Sequence, residues 1–382
     1  MKIRDIKLLN FRNYSNLELE FSDNINIIIG NNGEGKTNIL ESIYVLSLTK
    51  SNRYGIDNDL IKFGEEGFTI KGSVYNEELL RIFMVNNTKT KKRVFINNKE
   101  INKISDYISN FCVISFSPND LEIIKNAPAI RRNYINIEIS QLYNNYITYL
   151  NEYNAILKMR NDYLKKMNLN AFIDKRYLDV LNDKLIENAF KIYKYRFDYI
   201  KNINNIIGDI FSKIANLKEL KIVYDNSFDL DDYDEELIKE RMKDKFDHHY
   251  NQELMLGNTL YGPHRDDIKF MLNDMDMKLY ASQGQQRLAL ISFKIAELYL
   301  FKKVLGSFPV LLLDDIFSEI DIKKRNKIIK YIDKDIQTII TTTDINDIED
   351  KLLENAKLFK IKNGKITTKG GIKNGRRRKS TR

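Results

Sequence analysis

A chain of 382 residues, 43% of them hydrophobic, is long enough and apolar enough for two packed lobes, which excludes a disordered polypeptide. No apolar run reaches the roughly 18–20 residues that span a bilayer; one cysteine, Cys112, excludes an internal disulfide or a cysteine-rich zinc site, and three histidines make a poor metalloenzyme. The net charge of +9 is concentrated: residues 371–382 hold six basic residues and no acid, so residues 1–370 carry only +3. That tail has two readings, a phosphate-binding arm or a solvated terminus. The opening MKIRDIKLLNF threads charge through its apolar residues without the architecture of a signal peptide, so the expected compartment is the cytoplasm, with no membrane partner.

In chain order, alternation predicts strands over 2–9 and 17–21, and the run INIII over 25–29 predicts a strand buried on both faces. A helix is expected over 38–48, where Ile39, Leu40, Ile43, Leu46 and Leu48 share a face. Strands return over 68–74, 79–85 and 93–96, the last followed by Asn97-Asn98, a hairpin turn signal. FCVIS over 111–115 closes this stretch. From Ser73 to Ile207 there is no glycine, and Pro118 and Pro128 are the only prolines. Beyond Pro128, apolar and tyrosine residues fall at helical spacing (Tyr143, Tyr146, Leu150, Tyr153, Leu157) over about 75 residues, which suits two or three helices. A further helical stretch over 235–255 leads to a strand at 268–272. Then come a helix over 288–301, a strand at 310–313, a helix over 323–331 and a strand over 338–343. The pattern implies an α/β lobe built from both ends of the chain with a helical lobe inserted. The expected boundaries are 1–115 and 306–370 for the first, 116–305 for the second, and 371–382 for the basic tail.

Three strings carry chemistry. Gly30-Asn31-Asn32-Gly33-Glu34-Gly35-Lys36-Thr37 follows a predicted strand and opens a predicted helix, which is the context a P-loop requires. Its glycines let consecutive N–H groups point inward on an anion, and the helix N-terminus adds its positive dipole end. Lys36 is expected on the β- and γ-phosphates of ATP, and the Thr37 hydroxyl on Mg²⁺. Asp314 ends the apolar strand VLLL and suits the opposite side of the Mg²⁺ shell; its neighbour Asp315 suits orienting or deprotonating water. Taken alone, two aspartates can simply cap a strand. Ser282-Gln-Gly-Gln-Gln-Arg287 precedes a helix, so Ser282 and Gly284 could face a phosphate or merely cap that helix. Its position, one helix upstream of the aspartate strand, is the motif order of ABC-type ATPases. Arg12, in the turn after the first strand, is either a phosphate contact or an exposed turn arginine.

These residues resemble the RecF family of bacterial recombination mediators, from the first strand to about Ile361. The resemblance rests on GNNGEGKTNILE (Gly30–Glu41), on Phe116-Ser-Pro-Asn-Asp-Leu121 continuing to Pro128-Ala-Ile-Arg131-Arg132-Asn-Tyr134, and on Tyr261-Gly-Pro-His-Arg-Asp-Asp267. It extends to Ala281–Arg287 and Leu312–Asp321. Departures are few: Glu34 stands where the family usually has glutamine, which puts a negative charge near the phosphates. Asn119, Asn126 and Ile320 replace an acid, a glycine and a leucine. The resemblance implies a bilobal ABC-type P-loop ATPase head with an inserted, mainly helical lobe and no long coiled coil. It further implies ATP-dependent dimerisation, slow hydrolysis, and DNA binding at single-strand gaps or duplex/single-strand junctions. RecO and RecR would be partners in loading RecA, in repair, fork recovery and the SOS response.

An ATPase subunit of a membrane transporter is the alternative. Against it, SQGQQR lacks the paired glycines of transporter signatures, and Thr341-Thr-Thr-Asp344 stands where transporters carry a histidine. A chromosome-structure protein would need a long coiled coil. His264-Arg265-Asp266-Asp267 makes a poor metal set and is expected to be a structural turn. Lys89-Thr-Lys91-Lys92-Arg93, Arg131 and Arg132 are candidate DNA-phosphate contacts, weighed against ordinary solvated charge.

Overall fold

The computed structural model describes residues 1–53, 57–169, 174–217, 219–332, 334–345, 348, 350–354, 356–362 and 364–369; the basic tail 371–382 lies outside them. The chain divides into two compact units, Met1–Asp120 with Lys294–Arg382, and Leu121–Phe293.

The first unit opens with strands β1 (Lys2–Phe11), β2 (Tyr14–Glu20) and β3 (Ile25–Ile29), then helix α1 (Lys36–Leu48). Strands β4 (Gly67–Asn76), β5 (Glu78–Asn87), β6 (Thr90–Ile96) and β7 (Lys99–Ile101), the short helix α2 (Ser105–Ile108) and strand β8 (Val113–Phe116) follow. One sheet is an antiparallel meander in the order β2-β1-β4-β5-β6-β7. Alternation sets its register, Leu8 opposite Leu17 and Ile6 opposite Leu19, with an irregularity between Ile3 and Asp5 that lets both Ile3 and Ile6 face the core. The β6–β7 connection is Asn97-Asn98, both residues in the left-handed region, as a tight hairpin requires.

The second unit contains α3 (Glu122–Lys125), α4 (Pro128–Leu142), α5 (Asn144–Leu169), α6 (Lys175–Ala215), strand β9 (Leu220–Asp225), α7 (Glu235–His248) and α8 (Tyr250–Leu256). Strands β10 (Asp267–Leu272) and β11 (Met275–Asp276), the short α9 (Met277–Tyr280) and the start of α10 (Gln283–Leu305) complete it. Helices α5 and α6 pack antiparallel: Tyr143, just before α5, meets Tyr195, while within α5 Tyr149 meets Lys191, Arg160 meets Asn182 and Tyr163 meets Tyr177. Leu178, Leu181, Leu185, Ile192, Ile203, Ile207 and Ile210 give α6 its buried stripe. At 41 residues it is the longest described helix, and its partners α5, α7 and β9 are near in sequence, so no long coiled coil is built among the described residues. Two arginines are wholly buried in this unit. Arg160 pairs with Glu253 at 2.6 Å over the Phe246 ring, and Arg196 stands 3.9 Å from Asp266. Among the described residues no helix is long and apolar enough to cross a membrane.

The chain then returns to the first unit with β12 (Val310–Asp314), α11 (Ile322–Ile329), β13 (Thr338–Thr342), α12 (Asp350–Leu353), β14 (Ala356–Lys362) and β15 (Lys365–Lys369). These strands form a second sheet, β15-β14-β3-β13-β12-β8, parallel except for β15. Parallel strands covered on both faces read as continuous apolar runs, as the first four residues of β12 (VLLL) do; all five residues of β13 (TIITT) are buried as well, although three are threonines. Helix α1 touches β1, β4 and β5 of one sheet and β8, β12 and β13 of the other. Being sandwiched, it is buried nearly all round rather than along one stripe.

Candidate nucleotide-binding site

The order of the second sheet positions the site. Strand β3 ends at the P-loop and β12 ends at Asp314, with β13 between them, so residues distant in sequence meet at the carboxyl ends of parallel strands. Asp314 is in register with Thr341 and accepts from its hydroxyl at 2.6 Å. The same Oδ1 accepts from the Thr37 hydroxyl at 3.0 Å. Asp315 follows in a left-handed conformation (φ 51°), its N–H donating to the Thr341 carbonyl (3.2 Å) and hydroxyl (3.1 Å).

The P-loop turns on two glycines in the left-handed region, Gly33 (φ 82°) and Gly35 (φ 100°), the second serving as N-cap of α1. A Cβ on Gly35 would come within 2.4 Å of Asn13 Nδ2 and 2.7 Å of the Tyr14 hydroxyl. Gly30 is equally crowded, its Cβ position lying 2.7 Å from Glu34 Oε2. The Glu34 carboxylate folds back to accept from the Asn31 N–H at 3.1 Å and the Asn31 amide at 3.3 Å, so this acid sits on the loop's own backbone. Asn32 is exposed. Lys36 is only 6% exposed, and its ammonium donates to the carbonyls of Gly30 (2.7 Å) and Asn31 (3.0 Å). Burial pushes its pKa down, and the charges of Asp315, Asp314 and Glu34 oppose that shift.

This donor set fits a nucleotide and a hard cation. A buried ammonium held only by neutral carbonyls is a charge that a phosphate would complete. Thr37 and Asp314 offer two oxygens to Mg²⁺, an ion that takes its remaining ligands from phosphates and water. No cluster of three or more His, Cys, Asp or Glu side chains able to hold a metal exists among the described residues.

Arg12 is partly buried and anchored to the P-loop helix. Its guanidinium grips Glu41 of α1 through Nε (3.0 Å) and Nη2 (2.7 Å), and Nη1 donates to the Asp59 carbonyl at 2.8 Å. Glu41 is buried and also accepts from the Ser51 hydroxyl at 2.6 Å, with Arg53 at 3.6 Å. Sequence reasoning passed over Glu41 as a member of this group; the only signal was that it is the one acid on the P-loop helix. It also passed over Asp120 in the Phe116–Leu121 motif. Burial pushes the Asp120 carboxyl up, Lys294 opposes that, and Asp314 adds to it through like-charge repulsion.

Ser282 and Gly284 lie in the second unit, exposed at the start of α10. Ser282 and Gln285 form a reciprocal capping box: the Ser282 N–H donates to Gln285 Oε1 (2.9 Å), and the Gln285 N–H donates to the Ser282 hydroxyl (3.3 Å). Of the basic run over 89–93, Lys89 just before β6 pairs with Glu66, and on β6 Lys92 pairs with Asp57 while Arg93 stands 3.9 Å from Glu100. Arg131 is buried, bidentate to Asp267 at 2.6 Å. Asp266 accepts from Tyr224 and Ser227, while His264 bonds Tyr153, so the four residues 264–267 point to different partners in one turn.

The RecF/RecN/SMC N terminal domain family matches residues 2–367. Relatives named DNA replication and repair protein RecF include that of Oenococcus oeni, 37% identical over 370 residues that cover 96% of this chain and 99% of the relative. That of Bacillus cereus is 38% identical over 368 residues, covering 96% and 98%. A solved structure described as the recombination mediator protein RecF with ATP in the RecFOR pathway superposes with a TM-score of 0.89 at 34% identity, over 96% of this chain and 97% of that one. An SMC head bound to the C-winged helix domain of ScpA reaches a TM-score of 0.54 at 15% identity over 96% and 97%, a likeness of fold alone. With the P-loop, the Asp314 strand and the capped signature helix all in place on an ABC-type ATPase head, and with identity of this order along nearly its whole length, the chain belongs to the RecF family of DNA replication and repair proteins.

Proposed function

We propose that the chain is an ATP-operated switch that binds DNA in recombinational repair and replication-fork recovery. Solved relatives at 34% identity, described as RecF-ATP and RecF-ATPrS in the RecFOR pathway, support ATP as ligand and RecO and RecR as partners. The observation that carries the reading is local. Lys36 is a buried cation held by carbonyls, next to the Thr37–Asp314 pair at the end of a parallel sheet.

In this reading residues 1–115 and 306–370 make the ATPase lobe, 116–305 the lobe with the signature segment, and 371–382 a basic tail. The backbone of Gly30, Asn31, Asn32, Gly33, Glu34 and Gly35 cradles phosphate oxygens, and Lys36 neutralises them. Thr37 and Asp314 hold Mg²⁺. Asp315 orients water and takes its proton on the side-chain carboxylate. Arg12 holds the P-loop helix through Glu41 beside this cradle. Ser282 and Gly284 of a second copy complete the site, which makes dimerisation depend on nucleotide. Bound ATP with Mg²⁺ supplies a γ-phosphate whose presence distinguishes two states, and slow hydrolysis resets the switch. Only a difference in affinity between the states is needed, not rapid turnover. The dimer acts in the cytoplasm on single-strand gaps or duplex/single-strand junctions and helps RecO and RecR load RecA.

Fluorescence anisotropy with a gapped duplex, at fixed salt, tests the reading. Binding should strengthen with ATP over ADP or no nucleotide, and Lys36→Met should abolish that difference. Binding that ignores nucleotide and vanishes on deletion of residues 371–382 would leave the tail as the only DNA contact and sink the switch. In the ultracentrifuge, Ser282→Arg should prevent ATP-induced dimerisation; a normal dimer would remove the shared site.

A further inference from the structure

The segments Pro128–Tyr134 and Tyr261–Asp267 contribute nothing to the phosphate cradle described above, and the second unit brings them together. Arg131 of α4 is bidentate to Asp267, and Arg132 Nη1 donates to the carbonyls of Asp266 (2.7 Å) and Arg265 (3.5 Å). Between these segments and helices α5 and α6 lies a cavity of about 220 Å³, several times the share of one water. Its lining contains arginine, asparagine, tyrosine and histidine side chains and no carboxylate.

The polar atoms there are biased toward donors. Arg196, on the buried side, donates Nε–H to the Tyr146 hydroxyl (3.2 Å), Nη1 to the Pro263 carbonyl (2.7 Å) and the Tyr224 hydroxyl (3.1 Å), and Nη2 to Asn136 Oδ1 (3.1 Å), which leaves one Nη2–H for a ligand. Asn136 Oδ1 also accepts from Tyr146 at 2.6 Å, which fixes the amide and leaves its Nδ2 as a donor. Arg132 Nε and Nη2 make no hydrogen bond among the described residues, nor do the side chains of Asn133 and Asn154, which are exposed on the rim. The charge is also uneven. Asp267 answers Arg131 and Asp266 answers Arg196, but among the described residues no carboxylate lies within ion-pair distance of Arg132 or Arg265. His264 adds no positive charge at neutral pH, because burial lowers its pKa; its Nε2 lies 3.2 Å from the Thr259 carbonyl and its Nδ1 2.6 Å from the Tyr153 hydroxyl.

We propose that this cavity is a phosphate-binding site, taking a phosphate group carried on a free nucleotide or on a nucleic-acid strand. The donors left unspent lie on three helices that line the cavity, α4 (Arg132, Asn133, Asn136), α5 (Asn154) and α6 (one Nη2–H of Arg196). That suits a tetrahedral anion with several acceptor oxygens better than a planar carboxylate, which a single guanidinium satisfies in its own plane. The volume leaves room for part of the attached sugar.

The test is calorimetric titration of the full chain carrying Lys36→Met, which takes the cation from the P-loop and weakens its phosphate affinity, so that the effect of variants in this cavity is read apart from the nucleotide switch. The probes are inorganic phosphate, thymidine monophosphate, thymidine and a short oligothymidylate. Phosphate-bearing probes should bind and thymidine should not. Arg132→Gln and Asn154→Asp should each weaken binding about tenfold, the second by placing a negative charge on the rim. Monophosphate binding as tightly as the oligonucleotide identifies a free nucleotide as the occupant, and binding confined to the oligonucleotide identifies a strand. Asn154 is exposed, so its variant keeps the test valid if Arg132→Gln unfolds the chain. Phosphate probes that bind both variants like the parent, or a glutamate-rich peptide that binds where no phosphate probe does, would overturn the proposal.

Discussion

At the scale of single residues, burial decides which charges matter. Glu41 has 1% of its side chain exposed and satisfies Arg12, Ser51 and Arg53 together. Glu41→Ala would strand the Arg12 guanidinium and should cost about 2–3 kcal/mol in a urea melt, with the P-loop helix loosened as a consequence. Glu34 is a smaller perturbation in the opposite direction. Glu34→Gln keeps an acceptor for the Asn31 N–H and removes the negative charge, so calorimetry should find ATP bound about threefold more tightly. His264 sets a pH dependence. Burial lowers its pKa from 6.5 to about 4, with Arg265, Arg132 and Arg160 adding to the shift and the Thr259 carbonyl opposing it. The unfolded chain therefore binds this proton between pH 6.5 and 4 while the folded chain does not, and stability falls as pH drops through that window, by ~3 kcal/mol in total. Asp266, its carboxyl pushed up by burial, acts in the opposite sense on acidification. His264→Gln should flatten the fall in Tm between pH 7 and 4.5; an unchanged slope would assign the effect elsewhere.

At the scale of elements, the P-loop separates two kinds of glycine. Both Gly33 and Gly35 hold left-handed backbone, but a Cβ on Gly33 meets nothing within 4 Å, whereas one on Gly35 strikes Asn13 and Tyr14. Gly33→Ala should cost about 1 kcal/mol of strain and leave ATP binding measurable. Gly35→Ala should displace the start of α1 and lose ATP binding by at least about tenfold in the same assay. Elements whose signal is local were legible in sequence: β3 and β12 as mostly apolar runs (INIII and VLLL), the Asn97-Asn98 turn, the long helices after Pro128, the P-loop between strand and helix. What escaped depends on distant partners. Arg12 finds its acid 29 residues away, and nothing in its own turn announces that. Strand β15 (KITTK) has little apolar content, so it exists as an edge against β14 rather than by its own pattern. Strand β9 is different: Leu220, Ile222 and Tyr224 alternate cleanly, and that signal was present but unread.

At the scale of the whole molecule, charge is a matter of one segment. Deleting residues 371–382 takes the net charge from +9 to +3. If the tail touches phosphates, the truncated chain should show a shallower salt dependence of DNA affinity while the advantage of ATP over ADP persists. A truncation that abolishes the nucleotide effect would place the switch in the tail and contradict the role given to Lys36.

The partners at the nucleotide site also fix a schedule for its birth. Thr37 and the carboxylate it bonds are 277 residues apart in the chain, and Thr341, which steadies that carboxylate, comes later still. A ribosome makes the P-loop early and the residues that complete it only near the end. At about 5–20 residues per second, that gap lasts on the order of half a minute. Throughout that interval the nascent chain can own a phosphate loop but no switch. A product cut short anywhere before Asp314 has the same lack, so on the proposed reading premature termination yields fragments unable to cycle on nucleotide rather than rogue copies of the machine.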